Sequence, residues 1–217
     1  MTSIAEHCCG ADRFFDEKTA AKEYRNYLKK GPRKATAKII RQLSAQDITG
    51  KNMVDVGGGI GALQWWFLAQ GGRQTTDIDA SSGYLAKARD HAVKNGWQDK
   101  ARFVMGDCTD KYKEVDEAHV ITLDKVVCCY PDFKEILTAT CNKAKEYVAL
   151  SYPMDGFIAQ AIRNLGALFF MLKGNPFRPY VHPVKEIRSV FAAKGFTRIA
   201  HDTSFPWHIE TYVRASA

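Results

Sequence analysis

The sequence predicts an α/β fold: a doubly wound, seven-stranded sheet with an antiparallel last strand pair, N-terminal helices before it and a helical lid after the fifth strand. Three observations carry this. Short apolar strands alternate with amphipathic helices from residue 51 onward, glycines fill the first strand-to-helix turn, and two strands separated by a short turn close the chain. Alternation of this kind builds a parallel sheet, because each parallel pair needs a long crossover and a helix supplies it.

The elements follow in order. Ala20, Ala21, Tyr24, Tyr27 and Leu28 keep helical spacing from Lys18 to Lys30, where Gly31-Pro32 stops that helix and starts another carrying Ala37, Ile39, Ile40 and Leu43. Strands are expected at Asn52–Val56, Gln74–Ile78, Ala101–Met105, His119–Leu123 and Tyr147–Ser151. Between them, helices run to Gln70, over Tyr84–Asn95 up to Gly96, and from about Asp132 to Lys145. Phe157 to Leu172 reads as an apolar lid helix interrupted by Arg163 and Asn164, expected both to pack on several sides and to line an apolar pocket. The loop Gly174 to His182, a helix Pro183–Lys194 and the strands Phe196–Ala200 and Trp207–Arg214 complete the chain. One domain over 1–217 is expected, divided into N-terminal helices (1–50), a cofactor-binding core (51–151), a lid insertion (152–182) and a C-terminal helix and strands (183–217).

Composition bounds the function. With 46% hydrophobic and 25% charged residues in 217, the chain has the make-up of a globular protein with a sizeable core. The start lacks a basic segment followed by an apolar run, and no stretch reaches the roughly 18 apolar residues of a membrane span, so a cytoplasmic protein is expected. The six cysteines Cys8, Cys9, Cys108, Cys128, Cys129 and Cys141 include two adjacent pairs, a poor disulfide framework, and read as reduced thiols. The net charge of +7 is uneven: Lys18 to Arg41 holds nine Lys or Arg residues and Glu23 as its one acid. A solvated helix face explains this, while an anionic substrate, a membrane surface and nucleic acid stay open as partners. No dedicated nucleic-acid module is visible.

The cofactor site is read from strand ends. Asp55-Val56-Gly57-Gly58-Gly59-Ile60-Gly61 carries a strand into glycines and then a helix, so backbone N–H groups can approach a ligand with no Cβ in the way, and an anionic group is favoured there. Gly57, Gly59 and Ala62 also satisfy the dinucleotide fingerprint, which leaves an NAD(P)-dependent oxidoreductase as an alternative. Asp79, 20 positions after Gly59, suits the hydroxyls of an adenosine ribose in either case. Asp55 separates the two readings: a carboxylate beside the glycines favours a cationic amino-acid end and disfavours a pyrophosphate. Asp107, followed by Cys108, ends the third strand, so acids at three successive strand ends border one crevice.

These residues resemble the class I methyltransferase family that uses S-adenosyl-L-methionine (SAM). Asp55–Gly61 looks like its first motif, Asp79 like its ribose-binding acid and Gly106-Asp107 like its adenine-side motif, over roughly Lys51 to Ser151 and, through the terminal strands, most of the rest. The resemblance implies a Rossmann-like fold, SAM as cofactor with S-adenosyl-L-homocysteine (SAH) as product, and a cofactor-binding set of Asp55, Gly57, Gly59, Asp79, Asp107, Cys108 and Asp124.

Methyl transfer from a sulfonium is an in-line displacement, so the protein must chiefly align the acceptor and exclude water. A carboxylate or thiolate acceptor needs no strong base; a hydroxyl asks for a nearby His, Asp or Tyr. The segment Leu123 to Asp132 leaves the same sheet end as the cofactor motifs, and the resemblance makes Asp124, Cys129 and Tyr130 candidates there. Tyr130-Pro131 with Arg178-Pro179-Tyr180-Val181-His182 is distantly similar to the magnesium-protoporphyrin O-methyltransferase branch; Cys129 stands in place of that branch's first His, so the lid-over-cofactor design carries across and its substrate does not. His182, Tyr130 and Cys129 are therefore the candidate catalytic residues, and Tyr24, Tyr27, Tyr130 and His182 the candidate substrate-binding ones. Cys8-Cys9 and Cys128-Cys129 could converge on a soft metal or metalloid, but with no Cys-x-x-Cys they read as plain thiols and no metal is expected. The expected activity is methylation of an O or S atom of a small, apolar-bodied metabolite; an RNA or protein methyltransferase is the alternative that the basic helices suggest, and membrane-surface contact the one that they and the lid allow. The oligomeric state is not legible.

Overall fold

The computed structural model describes residues 10–215. Helix α1 (Glu17–Lys30) starts where the Asp16 carboxylate accepts the Thr19 N–H at 2.8 Å, and it ends at Gly31, whose φ of 73° a side chain would resist. Helix α2 (Lys34–Leu43) turns Ala35, Ile39 and Leu43 inward. The chain then alternates through β1 (Asn52–Val56), α3 (Ala62–Ala69), β2 (Gln74–Asp79), α4 (Ser82–Lys94), β3 (Ala101–Met105), the single turn α5 (Cys108–Lys111), β4 (Ala118–Asp124), α6 (Phe133–Lys143) and β5 (Ala144–Pro153). Helices α7 (Phe157–Leu172) and α8 (Val184–Ala193) and strands β6 (Phe196–Ser204) and β7 (Trp207–Arg214) follow.

The seven strands form one sheet in the order β3-β2-β1-β4-β5-β7-β6. The first five are parallel, and β7 lies antiparallel between β5 and β6. Strand residues alternate between two cores. Val54, Val56, Ile121 and Leu123 pack on one face with Ile136 of α6 and Phe191 of α8. Met53 and Val120 pack on the other with Ile39 of α2 and Phe67 of α3. Burial on both faces is why the central strands read as near-continuous apolar runs.

Four elements depart from the sequence reading, one of them β5, which begins at Ala144, three residues early, and runs on to Pro153. Helix α6 stops at Lys143, two residues early, because the Arg214 guanidinium takes the carbonyl oxygens of Cys141 and Ala144 and Ala144 pairs with Ala118 in the sheet. Strand β6 runs on to Ser204, held in register with β7 up to Ser204 opposite Trp207. The lid helix α7 does not pack on several sides: Ala159 and Phe170 are buried, whereas Phe157, Leu165 and Leu172 face outward.

At the sheet edge one charge is fully enclosed. Glu210 of β7 accepts hydrogen bonds from Arg188 of α8 (2.7 and 3.0 Å), Arg198 of β6 (2.6 Å) and the hydroxyls of Tyr152 (2.7 Å) and Tyr212 (2.5 Å). Burial alone would raise its pKa, but these donors hold it below the usual glutamate range. No helix among the described residues is long and apolar enough to cross a membrane.

Candidate functional site

Helix α3, after β1, packs on one face of the sheet, while α6, after the neighbouring β4, packs on the other. Connections that diverge in this way leave a crevice beyond the carboxyl ends of the strands. A cavity of about 840 Å³ lies there, bordered by Asp55 of β1, Asp79 of β2, Asp107 after β3 and Asp124 of β4.

The acids have different surroundings. Asp55 is buried, accepting from the Thr122 hydroxyl at 2.5 Å and the Gln64 amide at 3.4 Å; burial pushes its pKa up to about 7 against those donors. Asp79 accepts the N–H groups of Ser81 (2.8 Å) and Gly59 (3.0 Å), and burial still pushes it up to about 6. Asp77 lies beneath the glycine loop, fully buried and raised well above the carboxylate range by burial; its Oδ2 has no hydrogen-bond partner. Asp107 caps α5 through the Thr109 N–H at 2.8 Å. Asp124 accepts from the hydroxyls of Ser151 and Thr36, each at 2.5 Å, and pairs with Lys125 at 2.9 Å.

The glycine loop fits the close approach of a ligand, with the amides of its first three glycines turned to the protein. Gly57 donates to the Ile78 carbonyl at 2.7 Å, Gly58 to Asp77 at 3.2 Å and Gly59 to Asp79 at 3.0 Å. These three amides are taken by the protein and are not offered to a ligand. A Cβ on Gly57, where φ is 61°, would come within 2.5 Å of Val126.

Aromatic rings roof the cavity. Phe15 lies 5.7 Å from Tyr84 and 6.1 Å from Phe177, and Phe170 of the lid lies 5.0 Å from Phe177. The segment carrying Phe15 is clipped to α4, because Ser81 donates to the Phe15 carbonyl at 2.6 Å and the Ser82 N–H to Asp12 at 2.9 Å.

Residues 54–145 match the family model described as a methyltransferase domain, and no curated protein matches the sequence. The fold is similar to that of magnesium protoporphyrin IX methyltransferase from Synechocystis PCC 6803, solved with bound SAH and with SAM. For the SAH-bound structure the identity is 18% over 94% of this chain and 98% of that one, with a TM-score of 0.73. An O-methyltransferase family protein from Burkholderia thailandensis is 14% identical over 83% of this chain and 56% of that one, with a TM-score of 0.66. An O-methyltransferase family 2 protein from Planctomyces limnophilus, solved in complex with apigenin, is 14% identical over 83% and 62%, with a TM-score of 0.61. Residues 54–145 carry a methyltransferase domain, and the chain has the fold of methyltransferases solved with SAM and SAH.

The cavity suits SAM chemically. Carboxylates stand at the ends of three adjacent strands and a loop too tight for side chains runs between them, matching a cation-bearing nucleoside better than a dinucleotide. Gly57, Gly59, Cys108, Cys129, Tyr130 and Tyr27 also border the cavity. Tyr27 at the same time packs against the Trp65 and Trp97 cluster.

Two candidates are corrected. Tyr24 does not border the cavity; its hydroxyl hydrogen-bonds His91 Nδ1 at 2.8 Å, so it joins α1 to α4. His182 is buried outside the cavity, its Nε2 2.9 Å from the Tyr130 carbonyl oxygen and its ring between Phe133 and Tyr180. Burial lowers its pKa, which suits a neutral ring that donates to a carbonyl, a positioning role for the Tyr130 loop and not a base. Tyr130 is no base either: its hydroxyl accepts the Cys108 N–H at 3.1 Å, and burial raises its pKa well above the phenol range. Cys8 and Cys9 lie outside the described residues, and among those described no group of three or more His, Cys, Asp or Glu is arranged to hold a metal.

Sequence reasoning missed Asp77, Lys125, Trp207 and the roof of Phe15, Tyr84 and Phe177. Asp77 had a signal, as an acid inside the buried strand Thr75-Thr76-Asp77-Ile78-Asp79. Lys125 had none: its φ of 64°, rare for a side-chain-bearing residue, appears only in three dimensions.

The raised acids set a pH dependence. Ionised Asp55 and Asp79 attract a cationic amino-acid end and their protonated forms do not, so SAH affinity should rise as pH climbs from about 5 to about 8. Ligand-free stability should fall over the same interval, because acids whose folded pKa is raised ionise first in the unfolded chain. Calorimetric titration and thermal melts at several pH values check both; a flat affinity profile contradicts the assignment.

Proposed function

We propose that this methyltransferase methylates an O or S atom of a small acceptor with an apolar body, and that the acceptor ionises on its own, as a carboxylic acid, phenol or thiol does. The observation that carries the reading is the wall opposite the cofactor acids, which has no available base. No described histidine borders the cavity, Glu23 is paired with Arg33 at 2.5 Å, the Tyr130 hydroxyl is engaged by the Cys108 amide, and Asp124 is held by Thr36, Ser151 and Lys125. SAM supplies an electrophilic methyl group on a sulfonium. The chain supplies position: Asp79 is suited to the ribose hydroxyls, Asp55 to the ammonium of the amino-acid end, and Asp107 to the adenine side. Lys125, with its ammonium 2.9 Å from Asp124 and 5.9 Å from the Trp207 ring centre, is suited to hold the anionic form of an acceptor. Phe15, Phe177 and Pro179 offer apolar surface for its body and exclude water.

SAH release measured with aromatic carboxylic acids, phenols, thiols and primary amines tests this. Turnover is expected with the first three classes, with the rate following the acceptor's own ionisation. Lys125→Met should lower kcat/KM for them by about tenfold to a hundredfold, the effect of about 1.4–2.8 kcal/mol for one charged hydrogen bond. Turnover of amines alone, or an unchanged kcat/KM in Lys125→Met, would overturn the proposal.

A further inference from the structure

The lid helix has a second face that the methyl-transfer site does not use. Phe170 points inward to the roof, 4.8 Å from Phe14 and 5.0 Å from Phe177, whereas Ile158, Leu165, Phe169 and Leu172 recur at helical spacing and are 62%, 67%, 50% and 76% exposed. Phe157 beside them is 86% exposed. A stripe of this size on one helix is far from the scattered apolar residues of an ordinary surface.

Along the helix and the loop that follows it, the charge has one sign. From Gly156 to Pro183 the sequence contains no Asp or Glu, while Arg163, Lys173 and Arg178 are present. At the C-terminal end of α7 a depression of about 340 Å³ is bordered by Arg13 and Lys173, with Phe14, Phe169, Phe170 and Asn175 between them. No acidic side chain borders it.

We propose that the outer face of α7 docks on the surface of an anionic phospholipid bilayer, with the apolar stripe in the acyl boundary and Arg13 and Lys173 on lipid phosphates. The helix is amphipathic and, at 16 residues, too short to span, as an interfacial helix is. Charge decides between this occupant and a second copy of the chain. Pairing with a second copy through α7 would cover the stripe but bring no acid from residues 156–183 to the Arg13 and Lys173 depression, whereas an anionic membrane satisfies both the stripe and the cations. Since the same helix roofs the cavity with Phe170, docking would place the cavity roof at the lipid surface.

The test uses the full chain and vesicles of phosphatidylcholine, alone or mixed with phosphatidylglycerol. Co-sedimentation is expected with the mixed vesicles only, weakening as salt is raised. The triple variant Phe157→Ser, Leu165→Ser, Leu172→Ser should lower partitioning by about tenfold or more, and the double variant Arg13→Glu, Lys173→Glu should remove the salt-sensitive part. SAH binding by calorimetry, unchanged in both variants, shows that they fold. No sedimentation with mixed vesicles, equal sedimentation with neutral ones, or partitioning unaffected by the triple substitution would overturn the proposal. So would light scattering that finds a dimer which the triple variant converts to monomer, since the face would then be a contact between copies.

Discussion

Replacing Glu210 with Gln should lower the stability of the fold by about 3 kcal/mol, the low end of what removing one member of a buried ion pair costs, because both arginine partners are partly exposed. For a chain of this length that is a fall of roughly 6–12 °C in Tm. Glu210 is fully buried and joins three strands and a helix through Tyr152, Tyr212, Arg198 and Arg188, so its charge holds together the edge that β6 and β7 close. The effect has a pH signature. Its folded pKa is depressed, so its contribution is present above the unfolded glutamate value of about 4.3 and disappears as pH falls through the lower folded value. The gap between wild type and variant in thermal melts should therefore be full near neutrality and narrow in acid; a gap of under about 1 kcal/mol at pH 7 would refute the clamp.

Gly57→Ala should weaken SAH binding by about a hundredfold, or nearly 3 kcal/mol. One part is backbone strain, about 1–2 kcal/mol for a side chain in the left-handed region, where Gly57 sits at φ 61°. The other is collision, with the new methyl 2.5 Å from Val126 Cγ2. Relief by a loop shift is expensive, because Gly57 is tied to Ile78 and Gly59 to Asp79, and moving either displaces the carboxylate proposed to hold the ribose. Adding Val126→Ala should recover about tenfold in affinity by removing the collision while leaving the strain. Calorimetry on the single and double variants measures both parts, and near-wild-type affinity in Gly57→Ala would show that the loop does not face the cofactor.

How far the sequence could be read follows from which forces are local. Strands β1 to β4 were legible because burial on two faces forces apolar runs, and the place of Gly57, Asp79 and Asp107 at the cavity because a strand-end position is a local property. The lid was misread because apolar spacing in α7 shows that one stripe exists, not whether another element covers it. His182 and Tyr24 looked like site residues because their partners, the Tyr130 carbonyl and His91, are 52 and 67 positions away. The end of α6 depends on Arg214, some 70 residues downstream, and the Lys125 backbone leaves no mark in composition. Glu210 did leave one, as a lone acid in the strand Trp207–Arg214, but three of its four donors, Tyr152, Arg188 and Arg198, come from elsewhere in the chain.

SAM is proposed to lie against the acids that end β1, β2 and β3, and a crystal structure of the SAH complex measures that directly. The prediction is a nucleoside whose ribose hydroxyls hydrogen-bond the Asp79 carboxylate, with the amino-acid end beside Gly57 and Asp55 and adenine toward Asp107. SAH bound elsewhere, or in this cavity with its ribose out of hydrogen-bond reach of Asp79, would contradict it.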